Sequence, residues 1–292
     1  MHLTLFQCRP IVTYGARSGH IAPLELARFM TQATAQPHAV LERRYGLTQR
    51  IDRWWVEPLV TGSGLLIYII YSGISAMAGH AWAFETANGL YLSPFFEPLI
   101  TPEFLPEWVS PALLILWAPL GFRATCYYYR RTYYRAYFMS PPACAVREPA
   151  GSYSGEGKFP LIVQNSHRYF MYVAVVFIPL LAYGAVKSYH LPGEGFGIGL
   201  GSIILTLNAF FLMMYTIGCH SFRHIVAGGI NQFSKTPLRR LRRKAWEIFT
   251  IANEHHKAWA WVSLIFVGVT DLYIHLVASG VITDINTFSN PI

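Results

Sequence analysis

The sequence predicts an all-α fold, an integral membrane bundle of five transmembrane helices with the N-terminus cytoplasmic and the C-terminus outside. Three observations predict it. The chain of 292 residues is 53% hydrophobic and only 13% charged. Its apolar residues come in long blocks rather than helical stripes, and crossing the hydrocarbon takes roughly 20 such residues in one helix. Its basic residues lie almost entirely on one side of those blocks.

Residues 1–53 form an N-terminal arm, the least membrane-like part of the chain. It lacks a compact apolar region with a cleavage site, so no signal peptide is expected. Short helices are expected at 23–35, with Pro23 at the start, and at 38–46. Arg53, Trp54 and Trp55 make a basic-aromatic step before the first span, the pattern of an interface anchor and a weak candidate for contact with quinone. The membrane domain, 54–285, contains spans at about 58–79, 109–127, 169–188, 198–222 and 258–282.

The loop at 80–108 carries Pro94, Pro98, Pro102 and Pro106, and is expected to cap the outer face. After the second span an aromatic-basic continuation, Tyr127 to Tyr137, should end near Met139, because the residue before a proline is pushed out of helical geometry. The basic loop at 223–257 should be helical from 237 to 253. Residues 286–292 form an outer tail.

Charge orients the bundle. Of 23 Lys and Arg, seven lie in 1–53, six in 128–168 and eight in 223–257, with Arg123 near the same end of the second span and only Lys187 on the opposite side. The loop from Met77 to Trp108 has no Lys or Arg but carries Glu85, Glu97, Glu103 and Glu107. The positive-inside rule then places the N-terminus inside a cell inner (cytoplasmic) membrane. The net charge of +8 is a topology signal with an attraction to anionic membrane lipid. Nucleic acid is not an expected partner, because the basic residues flank spans instead of forming a binding stripe.

This topology gathers chemistry at one membrane face. Cys126, Cys144, His167, Cys219, His220, His224 and His256 all fall at or near helix ends on the cytoplasmic side. Thiols persist there, so no disulfide framework is expected. Cys8 stands apart in the arm, without a role. His220 and His224 are four residues apart, on one helix face within chelating reach. Cys144 follows Pro141-Pro142, a turn able to fold the thiol back toward the bundle.

Several metal groups fit these residue types. A b-type haem takes two axial His from facing helices, which His167, His220, His224 or His256 can supply; a second haem would need a pair near the outer face, where 198–210 has no His. Zinc would take the same ligands but carries no electron. A Rieske-type [2Fe–2S] centre uses two thiolates on one iron and two imidazoles on the other, both of which are present. Asp271, near the middle of the fifth span with His275 one turn on, is costly at that depth unless paired or wet. It reads either as a proton or quinone group or as a hydrogen-bonded tie between helices.

The runs Cys126-Tyr-Tyr-Tyr-Arg130, Ser140-Pro-Pro-Ala-Cys144, Phe159-Pro-Leu-Ile-Val-Gln-Asn165, His167-Arg-Tyr-Phe170 and Gly218-Cys-His-Ser221 carry a resemblance. Together with Arg53-Trp-Trp55 and the stretch Leu272 to Gly280, they resemble the membrane anchor of type F succinate dehydrogenase, a branch of respiratory complex II. The resemblance spans roughly 53–283. It implies a five-helix anchor for a flavoprotein subunit and an iron–sulfur subunit, a membrane-embedded Rieske-type [2Fe–2S] cluster, and quinone reduction. Succinate oxidation itself would sit on another chain, since no dinucleotide or flavin motif appears here.

Four of the seven Cys and His are expected as ligands. Cys219 and His220 point about 100° apart on a helix, so both do not face one cluster. Two sets stay open: Cys126 and Cys144 with two of His167, His220 and His224, or Cys219 and Cys144 with His167 and His256. The alternatives from other classes are a haem b anchor and a non-redox membrane scaffold or transporter.

Overall fold

A computed structural model describes residues 46–77, 91–104, 106, 108–149, 157–159, 161–191, 193 and 195–288. The helices expected at 23–35 and 38–46, and Cys8, lie outside the described residues. Among the described residues eight α-helices follow one another: α1 Val56–Met77, α2 Ala112–Thr125, α3 Tyr127–Tyr133, α4 His167–Lys187, α5 Leu200–Ile217, α6 His220–Ala227, α7 Pro237–Glu254 and α8 His256–Ala278. A hairpin of two two-residue strands, His190–Leu191 against Gly195–Phe196, joins α4 to α5. The expectation of no sheet is corrected by that short hairpin; the described residues are otherwise almost wholly helical or loop.

Among the described residues four stretches are long and apolar enough to cross a bilayer: Val56–Met77, Leu161–Lys187, Leu200–Ile217 and His256–Ala278. The second expected span is present as the shorter apolar helix α2, of 14 residues. At a rise of 1.5 Å per residue that is about 21 Å, less than the hydrocarbon thickness. Its shortness has local causes. Pro111 stands at its start, and at Cys126 the backbone turns extended, with φ −69 and ψ 135. The fourth expected span is likewise corrected, ending at Ile217 instead of 222, because Cys219 is extended too, with φ −63 and ψ 134.

The continuation beyond Cys126 behaves as its sequence predicts. Helix α3 passes into a π-helical turn, Tyr134–Phe138, and stops at Met139, whose φ of 52 lies in the left-handed region. Helix α7 matches the expected 237–253. Thr236 accepts a hydrogen bond from the Arg239 backbone at 3.3 Å and Pro237 opens the first turn, the usual chemistry of a helix start.

The chain divides into two compact units. In the described part of one, residues 46–59 and 134–149, the arm pairs with the loop after α3. Gly46 donates to the Arg147 carbonyl at 3.2 Å and Arg147 to that of Leu47 at 3.0 Å. The other unit, Val60–Tyr133 with Ser154–Ile292, holds the bundle. In it α5 packs between α4 and α8, and α2 packs on α4. Gly121 permits that last approach, since a Cβ there would stand 2.2 Å from the Phe170 ring.

Connectivity fixes which helix ends meet. The C-terminal ends of α2 and α5 and the N-terminal ends of α4 and α8 share one end of the bundle. There Phe122, Cys126, Tyr129, Met171, Tyr215, Cys219 and Ala260 form one buried cluster. At the opposite end Tyr91, Leu181, Leu205 and Ile274 form another. The buried run Tyr91 to Glu97 joins that end, as expected of a capping segment.

Candidate functional site

Cys126 and Cys219 occupy matching positions. Each is the single extended residue between two helices, Cys126 between α2 and α3 and Cys219 before α6. Each is 2% exposed and carries a free thiol. The break points each sulfur at the start of the next helix: the backbone amides of Tyr128 and Tyr129 lie against Cys126, and those of Ser221 and Phe222 against Cys219.

Interrupting a helix leaves carbonyls without partners, and side chains supply them here. Asn253 of α7 donates to the Gly218 carbonyl at 2.7 Å while accepting from Arg223 at 2.8 Å. Gly218 must be bare for this, because a Cβ would meet the Ala252 carbonyl oxygen at 2.9 Å. Tyr133 donates to the Ala124 carbonyl at 2.9 Å. Both breaks are therefore built into the fold.

Two imidazoles join the thiols. His167, the first residue of α4, places Nε2 3.3 Å from Cys219 Sγ and Nδ1 3.0 Å from Thr125 Oγ1. Thr125 donates its own proton to the Gly121 carbonyl at 2.7 Å. Its oxygen can thus only accept from Nδ1–H, which leaves the Nε2 lone pair facing the sulfur, the tautomer a metal-binding histidine needs. His256, the first residue of α8, is 6% exposed, and its Nδ1 is buried without a hydrogen-bond partner.

Aromatic rings tie the four together. Phe122 stacks on His167 with centroids 4.8 Å apart, and Tyr215 on His256 at 5.1 Å. Tyr215 also leans on Phe122 at 5.0 Å and sits against Cys126. Cys126 lies within electrostatic reach of Cys219, and His167 of His256. These supporting rings were not singled out in the sequence. Their signal is the spacing: Phe122 and Tyr215 each stand four residues before a cysteine, one helical turn away.

The remaining sequence candidates in this unit lie outside that cluster. His220 and His224 are on exposed faces of α6, with their Nε2 atoms 3.0 Å apart. Burial, His224 and Arg223 hold His220 below the usual imidazole range. Cys144 belongs to the other unit, where its carbonyl accepts from Arg50 at 2.9 Å. It is disulfide-bonded, which corrects the expectation of a free thiol: a sulfur bound to sulfur offers no thiolate to a metal. In that unit Arg53 and Trp55 are exposed at the foot of α1 and Trp54 is half-buried.

Asp271 is hydrogen-bonded on several sides. It is 1% exposed and accepts from Tyr71 at 2.6 Å, from Ser75 at 2.8 Å and from Ser93. Three hydroxyls satisfy the carboxylate and tie α1 and the 91–97 run to α8. His275 is half-buried one turn away.

No three His, Cys, Asp or Glu side chains among the described residues converge as a mononuclear metal site requires. A two-iron centre does not need that, since each iron takes a pair of protein ligands. Beside the four side chains lies an apolar cavity of about 500 Å³, whose polar groups include Tyr68, Arg123, Tyr129 and Tyr215.

Comparison with known proteins identifies the family. No curated protein matches the chain. A chain of the Mycobacterium smegmatis Sdh1 complex in the apo form is similar to it, with 42% identity and a TM-score of 0.74 over 86% of this chain and 96% of that one. Residues 56–280 match the family described as actinobacterial succinate dehydrogenase subunit SdhC. The chain therefore belongs to that family, the membrane-anchor subunits of a complex II in actinobacteria.

Proposed function

We propose that this anchor passes electrons from an iron–sulfur subunit to a quinone through a Rieske-type [2Fe–2S] centre held by Cys126, Cys219, His167 and His256. The observation that carries the reading is the meeting of two free, buried cysteines with two imidazoles, His167 Nε2 lying 3.3 Å from Cys219 Sγ. The donor chemistry fits the group: two thiols, two histidines, and a buried His256 Nδ1 whose missing partner is a cost that metal coordination removes. When bound, such a centre supplies a one-electron relay at a potential higher than four thiolates give.

The chain's own residues do the rest. The amides opening α3 and α6 face Cys126 and Cys219, and Thr125 holds His167 in its ligating tautomer. Phe122 and Tyr215 exclude water and fix both rings. The cavity takes the quinone ring, its size within the range of small-molecule sites, with the Tyr68 hydroxyl and Arg123 as hydrogen-bond donors. Arg53, Trp54 and Trp55 anchor the chain at the membrane surface.

The iron–sulfur and flavoprotein subunits dock on the basic face that carries α7, cytoplasmic in this reading. A thiol introduced at Lys158 should then resist an impermeant reagent added outside the cell, and one at Thr101 should react. The decisive experiment is electron paramagnetic resonance of the dithionite-reduced complex. A signal with average g below 2, lost in H167A/H256A and kept in H220A/H224A, is expected, together with loss of quinone reduction and retention of succinate oxidation by a soluble acceptor. A haem Soret band without that signal would replace the centre by haem b.

A further inference from the structure

Arg123 carries a positive charge into the apolar bundle, three residues before Cys126. Its guanidinium donates to Tyr129 Oη, to the Ala260 carbonyl at 3.4 Å and to Ser263 Oγ at 3.3 Å. It lies over the Tyr215 ring at 5.0 Å and the Tyr129 ring at 5.7 Å. Every one of these partners is neutral. The ion pairs among the described residues are Arg50–Asp52, Arg135–Glu57 and Arg243–Glu247, none of which includes it.

Charged groups at such depth are rare, and they pair or line wet cavities. This cavity is lined almost wholly by apolar side chains. Neutral hydrogen bonds and ring faces offset part of the cost, but leave the net charge unbalanced. The anion that could balance it is close at hand, because Cys126 lies within electrostatic reach of Arg123 and a metal-bound cysteine is a thiolate.

We infer that Arg123 is a positioning residue for the centre, its fixed charge balancing the Cys126 thiolate and favouring the reduced state. The inference rests on the centre proposed above. Reduction adds one electron from the reductant and breaks no protein bond. It leaves one more negative charge beside the guanidinium, and attraction between fixed charges is strong where little water screens them. The neutral partners keep the charge in place: Tyr129 and Ser263 hold the fork from two helices.

Redox titration of the purified complex with dithionite, followed through the resonance signal, tests this. R123K keeps the charge and should leave the midpoint near that of the wild type. R123Q and R123M should lower the reduced-to-oxidised ratio at fixed potential at least tenfold, a fall of 59 mV for one electron. Ser263→Asp sets a carboxylate where Arg123 Nη2 now meets a hydroxyl; neutralising the guanidinium should shift the midpoint the same way, even if R123Q and R123M fail to assemble. A merely structural role would move assembly and not the potential. An unmoved or raised midpoint in Ser263→Asp, or in an assembled R123Q or R123M, overturns the role of Arg123 and leaves the centre standing. A wild-type complex without the signal overturns the centre, and this role with it.

Discussion

At one end of the bundle Asp271 accepts from three hydroxyls, and Asp284 from Tyr91, Tyr273 and the Gly201 amide. At the other, His256 Nδ1 and Tyr215 Oη are buried with no nitrogen or oxygen partner among the described residues, and the Arg123 guanidinium meets neutral groups there. Both ends place polar groups where water is scarce. A closed network rigidifies what it joins, whereas an open one marks where something else must bind. Ionisable residues inside a membrane are thus not equally informative: their partners, more than their depth, separate structure from function.

The sharpest way to break this contrast is to exchange one thiol for a hydroxyl. C126S or C219S changes little in volume and should cost the fold about 1 kcal/mol or less, yet abolish the resonance signal and quinone reduction. Asp271→Leu should do the opposite. It strands three hydroxyls and removes the tie between α1, the 91–97 run and α8, a loss of roughly 3–5 kcal/mol by analogy with broken buried pairs. Thermal unfolding in detergent should show the drop. Complex that still assembles should keep its signal. A signal that vanishes in assembled Asp271→Leu complex would erase the distinction between the two ends.

Four of the spans, the end at Met139, the α7 helix and the gathering of Cys126, Cys219, His167 and His256 at one bundle end were legible, because hydropathy, proline and charge act locally. What was not legible is instructive. Cys126 and Cys219 sit inside apolar runs that read as continuous helix, and only tertiary partners make the breaks there stable. Asn253, 34 positions beyond Cys219 in the chain, completes one of them. The pair His220 and His224 drew attention through its spacing, but spacing places side chains on a helix face without saying what that face meets. Cys144 looked equivalent to the other thiols until its pairing with sulfur set it apart.

A smaller effect probes the support around the site. Thr125→Val keeps the shape of the side chain and removes the oxygen that accepts from His167 Nδ1–H. Partners of this kind are worth about 10–100-fold in metal affinity, so the variant should lose iron faster on chelator challenge by that factor, with its helical content unchanged. Iron retention equal to the wild type would assign Thr125 to packing alone.

The smallest expected effect lies at the opposite end, and it depends on pH. Glu97 is 7% exposed in the 91–97 run, against Gly184, where a Cβ would clash with its carboxylate. Burial pushes its carboxyl up from 4.5 to about 7, against a weaker downward pull from Lys187. A raised folded value means that the folded state holds the proton longer. The contribution to stability is therefore full below pH 4.5 and is lost as pH rises through 7, because the unfolded chain releases its proton first. On the order of 1–3 kcal/mol is at stake. Thermal unfolding of the wild type should weaken between pH 5 and pH 8, and Glu97→Gln, neutral throughout, should flatten the profile. Because Glu97 stands at the far end from the Cys and His, the resonance signal should not follow that pH dependence; a signal that titrates with Glu97 would mean that the two ends are coupled.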